Sequence, residues 1–199
     1  MEAAHEYRML MACDIAAPSG RTEQDRLEIR QFLESACRGA FHAGGMDWDS
    51  CTRWNTTDGC RLVVPSGFRK RTLLDRVLPG LTALLLSYNE WAAEHLRIRL
   101  RVALHADEIH RDSHGSASNT PFEILLCLLN ATLLRTAIAD APNNVPIAAI
   151  FSQRYGEEIA GCDKYESGTD AFIPVEIREK EYNGRAWIHY PGSREVPRP

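Results

Sequence analysis

The chain has 199 residues, with 23 Lys and Arg against 27 Asp and Glu, for a net charge of −4. That length supports one domain with a sizeable core. The absence of a basic block argues against a dedicated nucleic-acid surface, and no apolar run approaches the roughly 20 uninterrupted residues of a membrane span.

Met1 to Glu6 does not read as a signal peptide. The six cysteines, at 13, 37, 51, 60, 127 and 162, include no Cys-x-x-Cys pair. That spacing speaks against a zinc site and for a reduced, cytoplasmic chain. No internal repeat or low-complexity linker divides the sequence. One domain over 1–190 with a disordered tail over 191–199 is expected, the tail resting on Pro191-Gly192-Ser193 through Pro197-Arg198-Pro199.

Tyr7 to Cys13 reads as a buried strand ending at Asp14. Pro18-Ser19-Gly20 breaks it, and Thr22 with Asp25 starts a helix. Ile29, Phe32, Leu33, Ala36, Cys37, Ala40 and Phe41 fall on one helical face, which Gly44-Gly45 ends. Two short strands follow, near 49–54 and 60–64, joined by a hairpin in which Asp58-Gly59 suits a turn of positive φ.

Leu74, Val77, Leu78, Leu81, Leu84 and Leu85 mark a second helix that Pro79 and Gly80 bend or shorten. Arg97 to Leu104 alternates polar and apolar as a strand does. A turn near Asp107 and another strand around Ile109 should follow. Thr120-Pro121-x-Glu123 is a capping-box start for a helix to about Ala139. That helix is apolar almost all round over 121–138, so it is buried on more than one side, in the core or against a second subunit. Ile147 to Phe151 is a strand, 153–160 a short helix, and two last strands lie near 171–177 and 186–190. The order β-α-β-β-α-β-β-α-β-α-β-β fits an α+β fold with a ferredoxin-like βαββαβ core, helices on one face of a mostly antiparallel sheet, and a C-terminal strand extension.

Asp14 and Asp58 would stand at the tips of neighbouring strands. Paired carboxylates there can hold hard divalent cations and the phosphates that travel with them. The bland alternatives are a strand-end Asp bonded to nearby amides and an ordinary hairpin residue. Arg97, Arg99 and Arg101 form a basic stripe, read as an exposed sheet face or an anion or partner contact. His105 to His114 is rich in metal-ligand residue types but matches no ligand spacing, so a solvated hairpin is expected.

A strand ending in Asp14-Ile15, a helix, a hairpin carrying Asp58, and Arg99-Leu100-Arg101-Val102-Ala103-Leu104-His105 followed by His114-Gly115 together resemble the class III adenylate/guanylate cyclase homology domain. The match is to a divergent bacterial branch and covers roughly 5–190. The resemblance implies that Asp14 and Asp58 bind Mg2+ or Mn2+. It also implies a nucleotide ligand and an active site shared between two domains, in a homodimer or with a cyclase-like partner subunit. Neither a nucleic acid nor a membrane is implied as a partner.

The family's Asn and Arg, which orient the ribose and stabilise the pentavalent phosphate, fall on Glu123 and Cys127. The purine-selecting Lys falls near Trp54, and the family's phosphate loop reads Asp14-Ile15-Ala16-Ala17-Pro18. A cysteine cannot replace a guanidinium fork. The resemblance therefore implies a degenerate, dimeric regulatory or signalling module. The alternatives are an active cyclase rescued by Arg135, Arg99, Arg101 or a partner, and an interaction module without a ligand.

Overall fold

The computed structural model describes residues 5–16, 20–110, 119–159, 172–179 and 182–193. The expected tail beyond 193, Ala17-Pro18 and His114-Gly115 lie outside them. A sheet of seven strands has the order β2-β3-β1-β4-β5-β7-β6. The strands are β1 (His5–Ile15), β2 (Thr52–Asn55), β3 (Gly59–Val63), β4 (Leu100–His110), β5 (Ile147–Ser152), β6 (Ile173–Arg178) and β7 (Asn183–His189). Only β4 and β5 pair in parallel. The helices are α1 (Glu23–Ala43), α2 (Leu78–Trp91), α3 (Asn119–Asn130), α4 (Thr132–Asp140) and α5 (Gln153–Glu158). The βαββαβ core and the two-strand C-terminal extension are those expected.

Helices cover both faces of the sheet rather than one. Met9, Met11, Cys13 and Ile15 of β1 pack into a core with α1 and α2, while Leu10 and Ala12 pack with α3 and α4. This is period-two alternation on a central strand. β5, buried at every position, is apolar from Ile147 to Phe151 because neither of its faces meets water.

Several local expectations change. β4 does not turn at Asp107; it runs on to His110, paired with β1 from Leu100 to the end. Leu104 and Ala106 continue into one core and His105, Asp107 and Ile109 face the other way, so the alternation never lapses. Pro79 does not shorten the second helix. A π turn, Leu73–Val77, precedes α2, and Leu78 donates to the Leu73 carbonyl. The wider turn brings the proline, which has no N–H, to the start of α2 without losing a bond.

The apolar helix is two helices. Ala131 is extended between α3 and α4, and the Thr132 amide faces Glu179 at 3.4 Å. Thr120 lies inside α3, which begins at Asn119. Among the described residues, the stretch Thr120–Asp140 alone is long and apolar enough to cross a membrane by length and composition. Here it is broken at Ala131 and packs Leu125, Leu128, Leu134 and Ile138 on the sheet.

α1 begins as expected. Thr22 and Asp25 bond each other's backbone amides at 2.8 and 3.2 Å, and those bonds hold the Asp25 carboxyl below its usual range.

Candidate functional site

The end of the sheet where β1, β3 and the start of β4 meet carries the acidic pair. Asp14 stands opposite Gly59 on one side and Arg101 on the other. Its carboxylate accepts a charge-assisted bond from the Arg101 guanidinium. By alternation both side chains lie on the α3–α4 face. Burial pushes the Asp14 carboxyl up; Arg101 opposes this, and the nearby charge of Asp58 adds to it. The two aspartates are therefore electrostatic neighbours.

Asp58 sits one residue before β3, exposed at the hairpin tip. The Ile15 amide donates to its carbonyl at 2.8 Å. Arg30 from α1 reaches the Thr57 carbonyl at 2.9 Å. The hairpin closes through Thr56 N–H to the Gly59 carbonyl, 2.9 Å. Its turn is centred on Thr57-Asp58, and Gly59 is not among the positive-φ glycines. The expected positive-φ role of Gly59 is thus corrected. A Cβ at Gly59 would lie 1.9 Å from the Cys13 carbonyl oxygen, so glycine is required by close strand approach. Below the tip, on the α1 side, a small open cleft is lined by Asp58, Arg30, Glu34, Cys37 and Cys60, among others.

The basic stripe divides. Arg101 serves Asp14. Arg99 donates to the Ala141 carbonyl at 2.8 Å, closing the end of α4. Arg97 is exposed, and its carbonyl accepts from Arg21 at 2.7 Å. Arg99 and Arg101 are half-buried rather than an exposed face, because α3 and α4 cover that side.

Glu123 and Cys127 lie one turn apart on α3, Glu123 exposed and Cys127 partly buried. No bond between Glu123 and Asp14 or Asp58 is seen. Trp54 is exposed and meets Phe122 edge-on at 5.3 Å. Arg135 is on α4, beyond the break, with its guanidinium on the Asn130 side chain at 3.2 Å.

His105 is buried, with Nδ1 2.7 Å from the Ser152 hydroxyl and Nε2 3.5 Å from Asp107. Burial pushes its pKa down, against the pull of Asp107. That ends the reading of 105–110 as a solvated hairpin; His110's side chain and 111–114 lie outside the described residues. Among the described residues no group of three or more His, Cys, Asp and Glu is arranged to hold a metal ion.

Two carboxylates do not make a metal cage, but Mg2+ is commonly held by one or two carboxylates together with substrate phosphates. The donor set fits an ion that arrives with a nucleotide, provided Arg101 yields Asp14. Sequence reasoning named Arg101 without its partner. The two are 87 positions apart, and only the β1–β4 register joins them.

No protein-family model and no curated protein sequence matches the chain. Solved structures do match. An adenylate/guanylate cyclase/hydrolase from Silicibacter pomeroyi is similar over 96% of this chain and 100% of its own, with TM-score 0.62 and 14% identity. The catalytic core of a rhodopsin-guanylyl cyclase with converted specificity, in complex with ATPalphaS, is similar over 98% and 100%, with TM-score 0.59 and 12% identity. The monomeric guanylyl cyclase domain of the RhoGC fusion protein from the aquatic fungus Blastocladiella emersonii is similar over 96% and 99%, with TM-score 0.58 and 9% identity. The fold is that of class III adenylate/guanylate cyclase catalytic domains, spanned nearly end to end at low identity.

Proposed function

We propose that this chain is a degenerate nucleotide-cyclase homology domain. It acts as a cytoplasmic, dimeric regulatory module that binds a nucleotide with a divalent metal and forms little or no cyclic product. The observation that carries this reading is the Asp14–Arg101 pair. The chain's own guanidinium neutralises the carboxylate that a metal would otherwise use. Glu123 and Cys127, standing on α3 where the family has its Asn and Arg, support it.

Asp14 and Asp58 would hold Mg2+ or Mn2+, which when bound neutralises phosphate charge. Arg101, released from Asp14, remains on the same face as a cation for a phosphate oxygen. Ile124, Leu126 and Cys127 of α3, half-buried in the single chain, together with exposed Leu133 and Trp54, supply the apolar surface for a second subunit. The free thiols of Cys13, Cys37, Cys51 and Cys60 suit a reducing compartment.

Cyclisation gathers negative charge on the α-phosphate and on the leaving pyrophosphate. Losing one preorganised donor costs about 10²–10³ in rate, so losing two leaves a deficit of roughly 10⁴ or more. The Glu123→Asn/Cys127→Arg double variant tests this. Both positions reach the surface of α3, so the arginine needs no buried space. With manganese and a nucleoside triphosphate the double variant gains measurable cyclic product over the parent. Robust parental turnover that disappears in Asp14→Ala supports the second reading, an active cyclase. The feature that favours that reading is Arg101, a guanidinium already beside Asp14.

A further inference from the structure

A second chemical feature lies on the opposite face, beneath the hairpin. Cys13 of β1 and Cys60 of β3 are direct cross-strand partners. Both are buried, and their Sγ atoms are 3.5 Å apart. Cys37 of α1 is buried in the same core. Cys37 and Cys60 also line the cleft under Asp58, so the cluster has a route to small solutes.

A disulfide needs Cα atoms about 4.4–6.8 Å apart and sulfurs about 2.05 Å apart. Directly opposed residues of an antiparallel pair stand about 4.5–5.5 Å apart at Cα. The Cys13–Cys60 pair already meets the backbone requirement, and only a side-chain rotation is left.

We propose that Cys13 and Cys60 form a reversible oxidation site, closed to a disulfide by hydrogen peroxide entering through the cleft. One sulfur of the pair takes one peroxide oxygen as the O–O bond breaks, giving a sulfenic acid and one water. The other sulfur then attacks it, the S–O bond breaks, and a second water leaves with the remaining thiol proton. Two thiols lose two electrons and one peroxide gains them. A small-molecule dithiol reverses the bond by exchange. Cys13 precedes Asp14, and Cys60 lies two residues after Asp58. The bond therefore joins the two strand ends that carry the aspartates and fixes their spacing.

The site does not depend on nucleotide binding, and its test is chemical. Trypsin places Cys13, Cys37, Cys51 and Cys60 on four separate peptides, Met9–Arg21, Gln31–Arg38, Gly39–Arg53 and Trp54–Arg61. The purified chain is exposed to graded hydrogen peroxide, alkylated under denaturing conditions and mapped without reduction. The expected product is Met9–Arg21 linked to Trp54–Arg61, two hydrogens lighter than the sum of the peptides, formed at doses that leave Cys51 alkylated and lost on dithiothreitol treatment. In Cys37→Ser the link persists, which separates it from a link to the helix. A predominant Cys13–Cys37 link overturns the proposal. So does a map in which Cys13 and Cys60 stay fully alkylated at doses that oxidise Cys127. The wild-type map decides even if a variant fails to fold.

Discussion

The two halves of the candidate site are built to different tolerances. The acidic half is fixed by backbone. Gly59 presses against the Cys13 carbonyl, the Ile15 amide holds the Asp58 carbonyl, and Arg30 pins the turn from α1. The α3 half is set by one side of a helix, and Glu123 and Cys127 reach its surface. A change of residue type in the first half disturbs the fold; a change in the second costs little. A lineage that stopped needing catalysis would lose the α3 groups first and keep the aspartate scaffold. That is the pattern the proposed degenerate reading assigns to this chain.

The largest effect is expected at Gly59. A methyl group there must displace strand backbone, so Gly59→Ala should cost about 3 kcal/mol or more in urea unfolding, at the top of the usual overpacking range. A cost below about 1 kcal/mol would mean that the strands separate easily and the acidic half is not rigid.

Arg101→Gln comes next. It leaves a half-buried carboxylate without its cation, for a loss of about 1–3 kcal/mol. It should also tighten manganese binding, read by calorimetry, because Asp14 no longer has an internal competitor. Weaker manganese binding in the variant would show that Arg101 assists the ion rather than competing with it.

His105 gives a pH-dependent test. Its folded pKa lies below the unfolded value of about 6.5, so the unfolded chain takes the proton first on acidification. Stability is complete at neutral pH and falls as pH drops through about 6.5 towards the lower folded value. In His105→Asn the fall between about pH 7 and 5 should flatten. An unchanged slope would place the acid sensitivity elsewhere. Asp14 has the opposite sign: its raised folded pKa means that protonation relieves a cost, and this appears only as pH falls towards the carboxylate range.

The smallest effect is expected on α3. Glu123→Gln should change stability by no more than about 0.5 kcal/mol, as exposed substitutions usually do. A larger loss would show that Glu123 has a structural partner and that the α3 half is not free to vary.

Much of this was legible in the chain. The Thr22–Asp25 cap, the apolar face of α1 and the alternation along β4 are local signals, and each led to the right element. The break at Ala131 was not legible, because neither Gly nor Pro marks it and the next residue, Thr132, is tied to Glu179, just past β6. The continuation of β4 past Asp107 was missed because His105 and Asp107 bond Ser152 and Arg154, so polar residues do not mark a turn there. For the site, the position of each aspartate on its strand was readable. That Arg101 holds Asp14 depends on the register of β1 against β4. The Cys13–Cys60 pairing was not readable either, because it depends on the register of β1 against β3, which no local turn sets.

The central claim is retained binding with lost chemistry. A panel of nucleoside triphosphates with manganese, assayed on the purified chain for both binding and cyclic product, tests it most directly. The account predicts that at least one nucleotide binds in a manganese-dependent way that Asp14→Ala abolishes, with cyclic product at or near background. Turnover by the unmodified chain would contradict the degenerate reading, and no binding by any nucleotide would contradict the retained site.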